Sequence, residues 1–83
     1  MQSFLDHKPT TLDTAQPSVR HIQNLIRRKQ AVGIQVVGGG ELEGVIQWQD
    51  VYYIGLRQGE EPNSERPLTL INREQVSVIR CLG

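Results

Sequence analysis

Apolar positions in this chain change their period once. Between Pro17 and Gln30 they recur at helical spacing, with Val19, Ile22, Leu25 and Ile26 on one face and Arg20, Gln23, Asn24 and Arg27 on the other. Pro17 suits the first turn of such a helix, where its missing N–H costs nothing. The helix is expected to end near Gln30, because Val32 and Gly33 break the pattern. Beyond it the spacing shortens towards two, at Ile34 and Val36 and again at Leu42, Ile46 and Trp48. Five strands are predicted: Val32 to Val37, Leu42 to Gln49, Tyr52 to Arg57, Leu68 to Ile71, and Val76 to Arg80.

Two glycine features shape this β region. Gly38, Gly39 and Gly40 supply a turn in which positive φ costs little. Gly44 interrupts the second strand, where a glycine marks a bulge, a bend or a close backbone approach. A strand bent in this way lets a small sheet curl onto itself, which predicts a strongly curved β-barrel behind an N-terminal helix. Residues 1–16 have no sustained period and read as a flexible tail, leaving one domain over residues 17–83. Gln58 to Pro67 is a polar, net acidic loop with one glycine and two prolines, longer than a hairpin connection of about 2–5 residues.

Size adds a constraint. A chain of 83 residues hides only roughly 60% of its unfolded surface, so self-association is a natural route to further burial. Formal charge balances overall but is unevenly spread. Up to Val37 there are five basic residues and two acidic ones, a net +3; from Gly38 onward there are four basic and seven acidic, a net −3. If the two parts occupy different faces, only one attracts phosphate. The single cysteine, Cys81, excludes an intramolecular disulfide and fits a reducing cytosol. No apolar run approaches the roughly 20 residues of a membrane span, and the start has neither a basic n-region nor a long apolar core, so a cytoplasmic protein is expected.

Candidate chemistry is sparse. His7, His21 and Cys81 lack metal-ligand spacing, no GKS or GKT follows the triple glycine, and Asp50 stands beside no second catalytic group and suits a structural turn. No cofactor and no enzymatic activity are expected. Arg27, Arg28 and Lys29 read either as a solvated helix end complementing the helix dipole or as a phosphate-binding cluster. Along a strand Tyr52 and Tyr53 would face opposite ways, one into the core and one free to stack. Trp48 is expected to pack or lie in an interface, and Cys81 to serve as a small hydrophobe.

The run Leu42-Glu43-Gly44, then Ile46, then Asp50 with an aromatic at Tyr52, following the helical QPSVRHIQNLI segment, resembles the Sm-like family. Within it the chain is similar to the Hfq family of RNA chaperones, in its cyanobacterial-type branch, over roughly Gln16 to Leu82. The resemblance implies a mainly β, Sm-like fold: an N-terminal α-helix and a five-stranded, strongly bent antiparallel sheet forming a small open barrel. It also implies a homohexameric ring in which Leu68 to Ile71 of one subunit pairs with Val76 to Arg80 of the next. The family function is RNA binding and riboregulation.

By resemblance, a uridine pocket on the helix-bearing face involves Ser18, Val51, Tyr52, Arg73 and Glu74, and a basic rim involves Arg27, Arg28 and Lys29. Several of these depart from the family pattern. Ser18 and Val51 stand where glutamines are usual, and Asn72-Arg73-Glu74 replaces a Tyr-Lys-His run, leaving Tyr52 as the retained stacking partner. On the opposite face Gln35 replaces an aromatic and Glu41, near Glu43, replaces a lysine. Weakened binding of uridine-rich RNA on the helix face and rim, and little binding of adenine-rich RNA, are therefore expected. The alternative is a ring kept as a docking scaffold for a protein partner, for which the resemblance suggests type IV pilus function and motility.

Overall fold

The computed structural model describes residues 11–59 and 68–83. Helix α1 spans Pro17–Arg27 and is followed by strands β1 (Ala31–Val36), β2 (Glu41–Gln49), β3 (Tyr53–Arg57), β4 (Thr69–Asn72) and β5 (Val76–Cys81). Helix and five strands fall where the periodicity placed them. Most of the expected Gln58 to Pro67 loop, and residues 1–10 of the expected tail, lie outside the described residues. The remainder of that tail holds a turn in which the Gln16 N–H bonds the Asp13 carbonyl (3.3 Å) just before the helix.

The helix stops earlier than its pattern suggested. Arg28 caps it, and the N–H groups of Lys29 and Gln30 return to the carbonyls of Ile26 (3.1 Å) and Leu25 (3.0 Å). That is the Schellman arrangement, whose turning residue adopts the left-handed conformation that favours glycine. Here it is Lys29, with φ of 53°.

All strand pairs are antiparallel, in the order β4-β3-β2-β1-β5. The sheet does not close, since β4 and β5 are its two edges. β2 is shared: Glu41 to Val45 pair with β1, and Val45 to Gln49 pair with β3. Gly44 sits at this handover. A methyl group there would lie 2.3 Å from the Arg57 carbonyl oxygen, so a close backbone approach requires the glycine. In the β1–β2 turn only Gly38 takes a positive φ, at 73°.

A second irregularity reorders β2. Ile46 pairs with buried Leu56, but Trp48 pairs with Gly55 and Gln49 with buried Ile54, because the register shifts between Ile46 and Trp48. Paired residues share a face of the sheet. The bulge therefore moves Trp48 off the face of Ile46, against the simple alternation, and brings Gln49 onto the core side. The Trp48 indole lies across Gly55, where a methyl would fall 2.6 Å from Cε2.

Among the described residues the core is wholly aliphatic. Ile22 and Leu25 of the helix meet Val32, Ile34, Ile46, Ile54, Leu56 and Ile71 of the sheet. Val19 is also buried, and Ile26 packs against the core edge. The apolar stripe of the helix thus covers the inner face of the bent sheet and leaves its polar stripe in solvent.

Candidate nucleic-acid interface

Asp50 organises the β2–β3 turn. Its Oδ1 accepts hydrogen bonds from the backbone N–H groups of Tyr52 (2.9 Å) and Tyr53 (2.7 Å), and its own N–H bonds the Tyr53 carbonyl (2.9 Å). This is the structural turn role expected of it. The turn holds Tyr52 outside β3, so Tyr52 and Tyr53 do not alternate. Both are exposed, at 49% and 39%, and neither joins the core as one was expected to.

The β4–β5 connection is a short 3₁₀ turn, Arg73–Gln75, capped by Asn72, whose Oδ1 accepts the Glu74 N–H (2.9 Å). The Arg73 N–H donates to the Tyr52 carbonyl (2.9 Å), joining the two turns. Val51, Tyr52, Arg73 and Glu74 are thereby gathered at one place, with the aromatic and Glu74 exposed and Val51 and Arg73 half-buried. Ser18 is elsewhere. It lines a mainly apolar cavity of about 480 Å³ with Pro17, His21, Ile22, Val76, Ser77 and Ile79, alongside the free edge strand β5.

The Arg73 guanidinium turns toward the helix. Its Nη1 donates to Gln49 Oε1 (2.9 Å), while Gln49 Nε2 donates to the Val19 carbonyl (3.2 Å) and to Gln23 Oε1 (3.0 Å). Gln23 in turn lines a shallow cleft of about 180 Å³ with Thr14, Arg20, Asn24 and Arg27. The Arg27 guanidinium donates to Asn24 Oδ1. Arg27, Arg28 and Lys29 are all exposed. Sequence reasoning did not single out Gln49 or Gln23, and the cue for Gln49, a bulge, has no signature in an IQWQ run.

On the opposite face Gly33 and Gln35 point away from the buried Val32 and Ile34. Gln35 pairs with Glu41, and Gly33 is flanked by Glu43 and Arg80. Arg80 reaches across Gly33 to Glu41, with Nη2 2.6 Å from Oε2 and Nε 3.0 Å from the same oxygen. The Glu41 hydrogen bond and charge raise the Arg80 pKa above its ordinary value. A methyl at Gly33 would fall 2.8 Å from Glu41 Oε2, so the glycine makes room for this pair. Glu41 is therefore neutralised within the chain rather than left to repel a polyanion, and the charge of Glu43, on the other side of Gly33, adds a weaker pull on Arg80.

Trp48 lies over Gly55 yet stays 36% exposed, and Cys81 is exposed at the end of β5 rather than packed away. Among the described residues no group of His, Cys, Asp and Glu side chains is placed to hold a metal ion, and no helix is long and apolar enough to cross a membrane.

A bent, open sheet of five antiparallel strands under an N-terminal helix is the Sm-like fold. A crystal structure of Hfq, described as a pleiotropic translational regulator, superposes with a TM-score of 0.69 at 17% identity, covering 86% of this chain and 98% of that one. An Hfq protein from Anabaena sp. gives a TM-score of 0.65 at 27% identity, covering 80% of this chain and 97% of its own, in keeping with the cyanobacterial-type resemblance. The family profile described as Hfq-related matches residues 16–81. The chain belongs to that Hfq-related family. No curated protein sequence matches it.

Proposed function

We propose that the chain is the subunit of a homohexameric ring that binds single-stranded, uridine-rich RNA on its helix face and rim in the cytoplasm, as a non-enzymatic post-transcriptional regulator. Residues 17–83 form the ring-building domain. The observation that carries the reading is the Arg73–Tyr52 backbone bond, which sets a guanidinium-bearing residue beside an exposed aromatic. Aromatic stacking plus a cation is the usual means of holding an unpaired base and its phosphate. Arg27, Arg28 and Lys29 supply further phosphate contacts around the rim. Val51 in place of a hydrogen-bonding side chain, and the carboxylate of Glu74, keep the affinity low.

The ring is supported by what the single chain leaves unfinished. Its edge strands carry exposed apolar side chains, Leu70 on β4 and Val78 on β5, and unpaired edges of this kind recruit further strands. Joining β4 of one subunit to β5 of the next also draws the Tyr52–Arg73 turn towards the neighbouring Ser18 cavity, completing a pocket that neither subunit holds alone. Two measurements test the reading together: light scattering at micromolar concentration, expected near six subunits, and titration of uridine-rich against adenine-rich oligonucleotides at low salt. A stable monomer sinks the assembly. Tighter adenine-rich binding reverses the assignment of faces.

The exposed Glu74 beside Tyr52 favours a second reading, a ring that docks a protein partner, with type IV pilus function and motility as its setting. Absence of RNA binding at low salt, with capture of a ribonuclease-resistant protein partner, makes it the leading one.

A further inference from the structure

We infer that Gln49 is a positioning residue that fixes the Arg73 guanidinium against helix α1 and makes the Tyr52 pocket and the cationic helix cleft one continuous track for the phosphodiester backbone of single-stranded RNA. The inference rests on the RNA reading above and goes beyond it by coupling two sites. Its origin is the bulge in β2, which turns Gln49 to the core side beneath the helix. There the amide has one satisfactory orientation. Nε2 serves two acceptors, the Val19 carbonyl (3.2 Å) and Gln23 Oε1 (3.0 Å), so Oε1 faces the Arg73 Nη1 at 2.9 Å. A flipped amide would set its NH₂ against the guanidinium, donor to donor, and its oxygen against two acceptors.

The amide thus joins two places that a ligand would otherwise meet separately. On one side is Arg73, whose guanidinium carries further N–H donors of the kind that a phosphate or a base-edge oxygen takes. On the other is Gln23, which lines the cleft of Arg20, Asn24 and Arg27. Arg20, Gln23, Asn24 and Arg27 recur at helical spacing on one stripe, so a strand held by Arg20 and Arg27 is led by Gln23 and Gln49 towards Arg73. An arginine already held by a partner gives up less rotamer freedom on binding than one that is not. Removing Gln49 therefore weakens binding without removing a charge.

The test is a double-mutant cycle on the full chain, read by fluorescence anisotropy of a uridine-rich oligonucleotide at low salt. Gln49→Leu is expected to weaken binding by roughly tenfold or more, the worth of one hydrogen bond to a charged group. In that background Arg73→Ala should cost less than it does in the parent, and the coupling expected in the parent between Arg73→Ala and Arg27→Ala should vanish. Gln49→Met keeps the length without a hydrogen-bonding group or a charge and covers the case in which the leucine variant fails to fold. It cannot accept from Arg73, so it should bind more weakly than the parent while ring mass is retained. Full additivity of Gln49 and Arg73 changes, or unaltered binding by Gln49→Met, overturns the inference alone. A parent that binds no uridine-rich RNA overturns the RNA reading and the inference with it.

Discussion

The helix side and the opposite side of the sheet both carry arginine, yet they offer different things to a polyanion. On the helix side Arg20, Arg27, Arg28 and Lys29 are exposed, and none of them is within ion-pair distance of a carboxylate among the described residues. On the other side Arg80 lies across Gly33 and is closed onto Glu41 by hydrogen bonds to both oxygens. Counting cations would miss this. An ion pair within the chain removes an arginine from phosphate recognition, because a bidentate carboxylate occupies the same N–H fork a phosphate would use. The difference was set by small residues: Gly33 lets the pair form over the strand, and Gly44 lets the sheet bend so that its two sides differ in curvature and cover.

The largest expected effect comes from removing the bend that separates the sides. Gly44→Val places side-chain carbon against the Arg57 carbonyl oxygen, where even a methyl lies at 2.3 Å. It should destabilise the fold by about 3 kcal/mol or more, since backbone cannot easily give way. A variant with unchanged thermal unfolding and solution mass would show that the approach is relieved at no cost. Next in size is triple replacement of Arg27, Arg28 and Lys29 by alanine. If each meets one phosphate, the slope of log binding constant against log salt should flatten by about 2, from roughly 0.7 per contact on a single strand. An unchanged slope would mean that the rim is only a solvated helix end.

The opposite side can be sharpened from the protein outward. Glu41→Gln with Glu43→Gln frees Arg80 and removes the carboxylates of β2, so binding of adenine-rich RNA should rise a few-fold while the unfolding temperature changes little. If it does not rise, lack of an aromatic at Gln35 dominates on that face. The smallest effect combines two signs at one residue. Lys29→Gly relieves a left-handed conformation and should stabilise by about 1 kcal/mol, yet it removes a cation and should flatten the salt slope by about 0.7. Stabilisation with no change in slope would show Lys29 to be a cap and nothing more.

Periodicity and glycine placement made the element order legible, because helix faces and strand pairing depend on local spacing of apolar residues. The buried stripe of Val19, Ile22 and Leu25 and the need for glycine at position 44 could both be read from the chain. What could not be read depended on register. The bulge after Ile46 exchanges the sides of Trp48 and Gln49, and no residue in that run announces it. The turn built by Asp50 releases Tyr52 from the strand, so that alternation wrongly sent one of the two tyrosines to the core. The Arg80–Glu41 pair joins residues 39 positions apart through a strand lying between them. Helix length was misjudged because a lysine occupies the position where glycine would have marked the stop.

The seat of Trp48 on Gly55 has an optical consequence. The chain has one tryptophan, partly exposed and resting on the backbone of the β2–β3 ladder. Its emission is therefore an internal gauge of whether that ladder is intact. Because Trp48 faces away from Gln49, a ligand on the helix side should leave its spectrum unmoved, whereas opening of the bent sheet should shift it to the red as the indole leaves its glycine for water.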